Sequence, residues 1–420
     1  MSRLLYSFLI YCLSPLLLVH LLWRGRRAPA YLKRWSERFA FINIHLPVSP
    51  IWIHAVSVGE VQATRALIRK LRRAYPSIPI IVTTTTPTGS AQVQQLFADT
   101  VEHVYAPYDL PGVVKRFLKR VRPQLAIIME TEIWPNIFHH CHAQHIPIIL
   151  ANARLSERSL TSYQRVRRLA QETLACVNTI AAQSESDVAR FRQLGARAEQ
   201  LEVTGSIKFE VDLPASLHEK AEVLRREWGH DRKVFIAAST HSGEDEIILD
   251  AFRQIHKSMR DCLLVLVPRH PERFDRVYAL CEKERLNVVR RSADVPCDAD
   301  TDVFLGDSMG ELPLFYAASD VAFIGGSLVP HGGQNPLEAA ALGLPVFIGP
   351  HFFNFAEIRR LLLDQRAAKE VHDATELADE VLRCFRDVER RHQMGEAARQ
   401  VVESNRGALT ALLAIIERYI

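Results

Sequence analysis

The chain has 420 residues, which suits two domains of ordinary size better than one. Its 48% hydrophobic and 24% charged content, with 18 Gly and 21 Pro, excludes a disordered, collagen-like or disulfide-scaffold protein. The net charge of +4 is concentrated at one end: Arg3, Arg24, Arg26, Arg27, Lys33, Arg34 and Arg38 face a single acid, Glu37, within residues 1–38, and the remainder is slightly acidic. A nucleic-acid partner, which calls for a basic domain, is therefore not expected.

Residues 4–23 carry no Asp, Glu, Lys or Arg. Twenty apolar residues are enough to cross a bilayer as a helix, and the basic collar that follows places the bulk of the chain on the cytoplasmic side. Ser14-Pro15 and His20 count against a span, and a buried core helix and a helix lying in the membrane surface are the competing readings. The collar could also meet anionic head groups. A secretory signal would carry its charge before a shorter apolar core. Seven scattered cysteines without a C-x-x-C pair fit a reducing compartment.

Beyond the collar, short β-branched runs at 51–55, 78–85, 101–106, 125–130, 146–151, 179–183 and 201–204 read as strands. Helical patterns such as 61–74, 110–122 and 185–194 lie between them, which implies a parallel sheet covered on both faces. A second series follows at 234–238, 263–267, 303–305, 321–324 and 346–348. The expected division is an anchor with its collar (1–38), a first α/β domain (39–205), a linker (206–215) and a second α/β domain (216–420). Residues 408–420 are amphipathic and should dock on one of the domains. Two such domains would form a cleft at the carboxyl ends of their strands, where ligands bind in doubly wound folds.

Several strand-end loops carry chemistry. Ser57-Val58-Gly59-Glu60 turns tightly and sets Glu60 in a first helical turn, where, taken alone, it reads first as a helix-capping acid. Met129-Glu130-Thr131-Glu132 puts acids at a strand end, and Lys208 in Thr204-Gly205-Ser206-Ile207-Lys208 can meet an anion. In the second half, Val267-Pro268-Arg269-His270-Pro271 and Gly306-Asp307-Ser308-Met309-Gly310-Glu311 end strands with polar turns. Gly325-Gly326-Ser327 and His331-Gly332-Gly333-Gln334-Asn335-Pro336-Leu337-Glu338 lead into a helix near Pro336, whose free N–H groups would attract a phosphate while Glu338 accepts from ribose hydroxyls. Neither a dinucleotide fingerprint, a Walker motif nor G-x-S-x-G occurs. His139-His140-Cys141-His142 with His145 completes no metal-ligand spacing, and Asp298-Ala299-Asp300, which resembles a D-x-D element of the kind that holds a divalent ion, sits in a polar loop before a strand and reads as surface, so no metal and no cofactor is expected.

Taken together, His54-Ala55-Val56-Ser57-Val58-Gly59-Glu60, Met129-Glu130-Thr131-Glu132-Ile133-Trp134-Pro135, Thr204-Gly205-Ser206-Ile207-Lys208-Phe209, Pro268-Arg269-His270 and Asn335-Pro336-Leu337-Glu338 resemble the 3-deoxy-D-manno-octulosonic acid (Kdo) transferase family over essentially the whole chain. The resemblance implies a GT-B fold of two Rossmann-like domains behind a membrane anchor. It also implies CMP-Kdo as donor, lipid IVA as acceptor, and catalysis at the cytoplasmic face of a bacterial inner membrane during lipopolysaccharide assembly. By motif, Glu60 would be the general base, and Glu130 and Lys208 would support the transition state. Pro268, Arg269, Met309, Gly310, Glu311, Asn335, Pro336, Leu337 and Glu338 would hold CMP-Kdo. The alternatives are a GT-B enzyme with another nucleotide-sugar donor and a lipid acceptor, or a non-catalytic, membrane-tethered sugar-nucleotide-binding protein.

Overall fold

The computed structural model describes residues 1–44 and 46–420, with the side chains of residues 17, 18, 20 and 27 left aside, so the readings of His20 and Arg27 lie outside the described residues. The chain forms two compact units: residues 1–210 with 406–420, and residues 211–405.

Among the described residues, the first unit holds a seven-stranded sheet, all parallel. In chain order its strands are β1 (Ile51–His54), β2 (Ile80–Thr84), β3 (Glu102–Tyr105), β4 (Leu125–Met129), β5 (Ile148–Ala153), β6 (Thr179–Ala182) and β7 (Leu201–Val203). Their spatial order is β3-β2-β1-β4-β5-β6-β7. The order reverses beside β1, which is the crevice where doubly wound sheets bind ligands. Successive strand residues feed opposite faces. Trp52, Ala126, Ile128, Ile148 and Leu150 join Phe117, Phe138 and Phe191 on one face. Ile51, Ile53, Ile127 and Ile149 join Leu67 and Leu71 on the other. Burial on both faces is why these strands read as continuous apolar runs.

The second unit holds β8 (Lys233–Thr240), β9 (Cys262–Pro268), β10 (Val288–Arg290), β11 (Val303–Leu305), β12 (Val321–Ile324), β13 (Val346–Ile348) and β14 (Ala368–Glu370). These strands are arranged β10-β11-β9-β8-β12-β13-β14, again all parallel among the described residues. The outermost two, β10 and β14, are three residues each and were not expected from the sequence.

Two expected boundaries need correction. The second domain does not run to residue 420. The helix Ala408–Ile416 buries Ala408, Leu409, Leu412, Ile415 and Ile416 in the β1 side of the first core. Arg418 pairs with Glu202 at 2.6 Å, and Tyr419 Oη lies 2.8 Å from Thr179 Oγ1. Nor do residues 1–38 stand apart. The helix Arg3–Arg27 belongs to the first unit, with Tyr6 Oη donating to Asp109 at 3.0 Å.

Leu412 is fully buried in this core. Leu412→Ala should therefore lower the unfolding free energy by about 2–5 kcal/mol, read from urea unfolding. A change below about 0.5 kcal/mol would mean that the last helix is not part of the core.

Candidate active site

In the first unit, the helix Val58–Ala74 starts just after β1, capped by Ser57. Ser57 Oγ accepts from the Glu60 N–H at 3.3 Å and donates to Glu60 Oε1 at 2.8 Å, while Val56 N–H donates to Glu60 Oε2 at 2.8 Å. Glu60 does take part in capping. An ordinary cap carboxylate is solvated and acidic, whereas Glu60 is only 6% exposed. Burial pushes its pKa up to about 7, Glu130 and Glu132 push the same way, and the two local hydrogen bonds hold it down.

Glu130 follows β4 with φ of +54°, a left-handed conformation that costs a non-glycine residue roughly 1–3 kcal/mol. Its carboxylate meets Lys208 Nζ at 2.8 Å, with both side chains more than a quarter exposed. Glu132 accepts from Trp134 Nε1 at 2.8 Å, and burial followed by the charge of Glu130 raises its pKa. The structure thus brings Glu130 and Lys208 together, and Glu60 feels both nearby carboxylates.

Sequence reasoning missed Asn152, whose side-chain oxygen accepts from the Ile207 N–H at 3.1 Å. It is 1% exposed and also left-handed, at φ +53°, where β5 shifts register. Asn152 fixes the turn that presents Lys208. The signal was a lone amide in the apolar run 148–153. His54, at the end of β1, is wholly buried against Thr83 Oγ1 at 2.8 Å, and burial lowers its pKa to about 4. A cavity of about 360 Å³ opens beside Glu132, walled by Trp134, Tyr163, Leu169, Ala170 and Tyr6.

In the second unit, the expected donor residues fall at the carboxyl ends of neighbouring strands. Pro268 closes β9, and the Arg269 N–H donates to Thr240 O at 3.0 Å. Met309 and Gly310 follow β11 on an exposed turn, and Glu311 caps Leu312–Ala317. Arg291 grips Glu311 with two guanidinium nitrogens, at 2.9 and 3.1 Å, which lowers the Glu311 pKa. Asn335 Oδ1 accepts from the Leu337 N–H at 3.1 Å, ahead of the short helix Leu337–Ala341.

The glycine-rich loop is braced from within. The N–H groups of Gly326, Ser327 and Leu328, ahead of the helix near Pro336, are all taken up by one side chain. They donate to the carboxylate of fully buried Glu244 at 2.6, 3.0 and 2.9 Å, and the His241 N–H adds a fourth bond at 3.1 Å. Gly325 and Gly333 serve packing, because a Cβ would stand 2.4 Å from Ser239 O or 2.3 Å from the Phe352 ring. The reading also missed His241, at the end of β8. Its ring stacks on His331 at 4.3 Å, lies edge-on to His270 at 5.4 Å, and accepts from Gln334 Nε2 at 3.0 Å. The available signal was Gly243-Glu244, which repeats Gly59-Glu60 after the matching central strand. Asp298 is engaged by Thr301 Oγ1 at 2.7 Å and by the Asp300 N–H at 3.1 Å.

A family model described as 3-Deoxy-D-manno-octulosonic-acid transferase (kdotransferase) matches residues 33–211, and one described as Glycosyl transferases group 1 matches residues 234–401. The 3-deoxy-D-manno-octulosonic acid transferase of Haemophilus influenzae is 44% identical, covering all of this chain and 99% of its own. The chain belongs to the Kdo transferase family. The Bordetella pertussis Kdo transferase is 36% identical over the full length of both chains. Among solved structures, the UDP-GlcNAc 2-epimerase of Neisseria meningitidis superposes with a TM-score of 0.57 at 15% identity, covering 88% of this chain and 100% of that one. It shares the fold alone. The C-terminal CMP-Kdo binding domain of WaaA from Acinetobacter baumannii is 39% identical, covers 45% of this chain and all of that one, and gives a TM-score of 0.44. As a Kdo transferase, the chain is a glycosyltransferase with the GT-B pair of Rossmann-like domains.

The raised Glu60 pKa makes a stability prediction. Between about pH 4.5 and 7 the folded chain keeps a proton that the unfolded chain has lost, so this group's contribution to stability falls as pH rises through that window. Glu60→Gln should gain on the native chain by about 1–3 kcal/mol between pH 5 and 8.5, measured by urea unfolding at both pH values. A difference independent of pH would mean that Glu60 titrates normally.

Proposed function

We propose that this chain transfers Kdo from CMP-Kdo to lipid IVA in lipopolysaccharide assembly, working at the cytoplasmic face of a bacterial inner membrane. The observation that carries the mechanism is Glu60, a buried carboxyl with a pKa near 7 beside the Glu130–Lys208 pair. A sugar hydroxyl is a poor nucleophile at neutral pH, and a carboxylate within hydrogen-bond reach can take its proton as it attacks. An acid of ordinary strength would be a weaker base. One with a pKa near 7 is half deprotonated at working pH and accepts the proton more readily.

In the proposed reaction, the acceptor hydroxyl oxygen bonds to the anomeric carbon of Kdo. The bond from that carbon to the CMP phosphate oxygen breaks, and the hydroxyl proton passes to Glu60. Direct displacement inverts the anomeric centre. Positive charge grows on the sugar ring as CMP leaves, and negative charge grows on the phosphate. Glu130 offers a carboxylate to the first, and Lys208, held by Glu130 and by the turn that Asn152 fixes, offers an ammonium to the second. Pro268, Arg269, Met309, Gly310, Glu311 and Asn335 to Glu338 are the proposed donor-holding residues. Arg269 supplies a fixed positive charge for a donor with a single phosphate. The reaction as written has no metal step. The apolar cavity beside Glu132 is suited to part of an acylated acceptor. The 24-residue apolar stretch from Arg3 to Arg26 supports membrane attachment.

Glu60→Gln keeps size and one hydrogen-bond acceptor but cannot take a proton. Turnover with saturating lipid IVA should fall by about 10²–10⁴-fold while CMP-Kdo affinity is retained. In the native chain, kcat should rise with pH and level off above about 7, the Glu60 value. Near-normal turnover of Glu60→Gln would move the base elsewhere, with Glu130 the next candidate.

A further inference from the structure

We propose that the first helix does not cross the bilayer. It lies in the membrane surface, with its N-terminus on the same side as the α/β unit it packs on. This rests on the membrane attachment proposed above and adds its geometry.

The helix Arg3–Arg27 is about 37 Å long, enough to span. A span would put its first turn in the opposite leaflet from the collar. Its first three turns are instead fastened to the unit that follows the collar. Arg3 donates to Asn136 Oδ1 at 3.2 Å, Ser7 Oγ donates to the same oxygen at 2.9 Å, and Tyr6 Oη donates to Asp109 Oδ2 at 3.0 Å. Tyr11 Oη accepts from the Gly112 N–H at 3.1 Å. These contacts are not loose surface meetings, because Asn136 is 0% exposed, Asp109 1% and Ser7 8%. Asp109 also accepts from the Asn136 and Ile137 N–H groups, so the same carboxylate that receives Tyr6 organises the start of Pro135–Ala143. A helix threaded through the bilayer cannot keep these bonds.

The residues that touch the protein recur at helical spacing. Arg3, Ser7, Ile10 and Ser14 are buried or half-buried, and Leu21 and Gly25 continue the stripe. The opposite face presents Leu4, Phe8, Leu16 and Val19, each more than 60% exposed, with Leu5, Leu9 and Leu13 also exposed. With Arg3, Tyr6 and Ser7 turned toward the protein, this outward apolar row is suited to burial at the head-group boundary of a bilayer. Arg24 and Arg26, both exposed at the end of the helix, fit an anionic lipid surface. Met1 and Tyr6 also wall the cavity beside Glu132, so an in-plane helix brings the membrane surface to the acceptor side of the site.

The test uses the full chain in bacterial inner membranes, with exposed Cys12 replaced by Ser and a cysteine at Ser2 or, as collar control, at Ala30. An impermeant maleimide is applied to spheroplasts and to inverted vesicles, and labelling is read on the peptide carrying each position. Both positions should label in inverted vesicles and neither in spheroplasts. Ser2→Cys labelled from outside, with Ala30→Cys protected, would overturn the proposal. If Ser2→Cys is protected from both sides, oxidation of a Ser7→Cys/Asn136→Cys chain in inverted vesicles decides. A cross-link supports the in-plane helix, and its absence overturns it. Recovery of the full chain in the soluble fraction would instead remove the attachment itself, leaving the enzymatic reading intact.

Discussion

Keeping a carboxyl group out of water next to two other carboxylates is the constraint around which the first unit is built. Glu60 lies in the first turn of the helix after β1, and Glu130 and Glu132 in the loop after β4, and the two strands are neighbours in the sheet. Three charges of one sign cannot be packed there without relief. Lys208 relieves Glu130, the Trp134 N–H supports Glu132, and among the described residues the Glu60 carboxyl receives a backbone N–H and a serine hydroxyl. Glu60, buried, is left keeping its proton up to about pH 7, so that it can both take and release one near neutrality. The left-handed backbone at Glu130 and Asn152 is understandable in the same terms, since both residues hold Lys208 or the turn before it.

The two units answer a similar local sequence in different ways. Gly59-Glu60 and Gly243-Glu244 each follow a strand near the middle of a sheet, and burial raises both glutamate pKa values. Glu244 is surrounded by four backbone N–H donors from its own turn and the loop after β12, which makes it a brace for that loop. Glu60 has fewer donors and two carboxylate neighbours, which fits a group that exchanges a proton. A carboxylate's partners, more than its place in a motif, separate a structural role from a chemical one.

The interior strands of both sheets were legible because β-branched residues buried on two faces leave an unmistakable apolar run. The edge strands β10 and β14 were not, since Val288–Arg290 and Ala368–Glu370 are short and carry charge. The final helix announced an apolar face, but nothing local in 408–420 names the core that receives it. Glu60, Glu130 and Lys208 were visible as motif residues at strand ends. Glu244 was not, because its loop partners lie more than 80 residues away and it reads as a cap in isolation. The stripe of Arg3, Ser7 and Ser14 was present in the sequence, yet its meaning depends on Asp109 and Asn136, which only tertiary structure supplies.

The most direct measurement is mass analysis of the product formed by the purified full chain from CMP-Kdo and lipid IVA, with released CMP quantified alongside. The account predicts a lipid heavier by whole Kdo units, with one CMP released for each unit attached. CMP released without any gain in lipid mass, or no turnover of CMP-Kdo by folded chain, would contradict it.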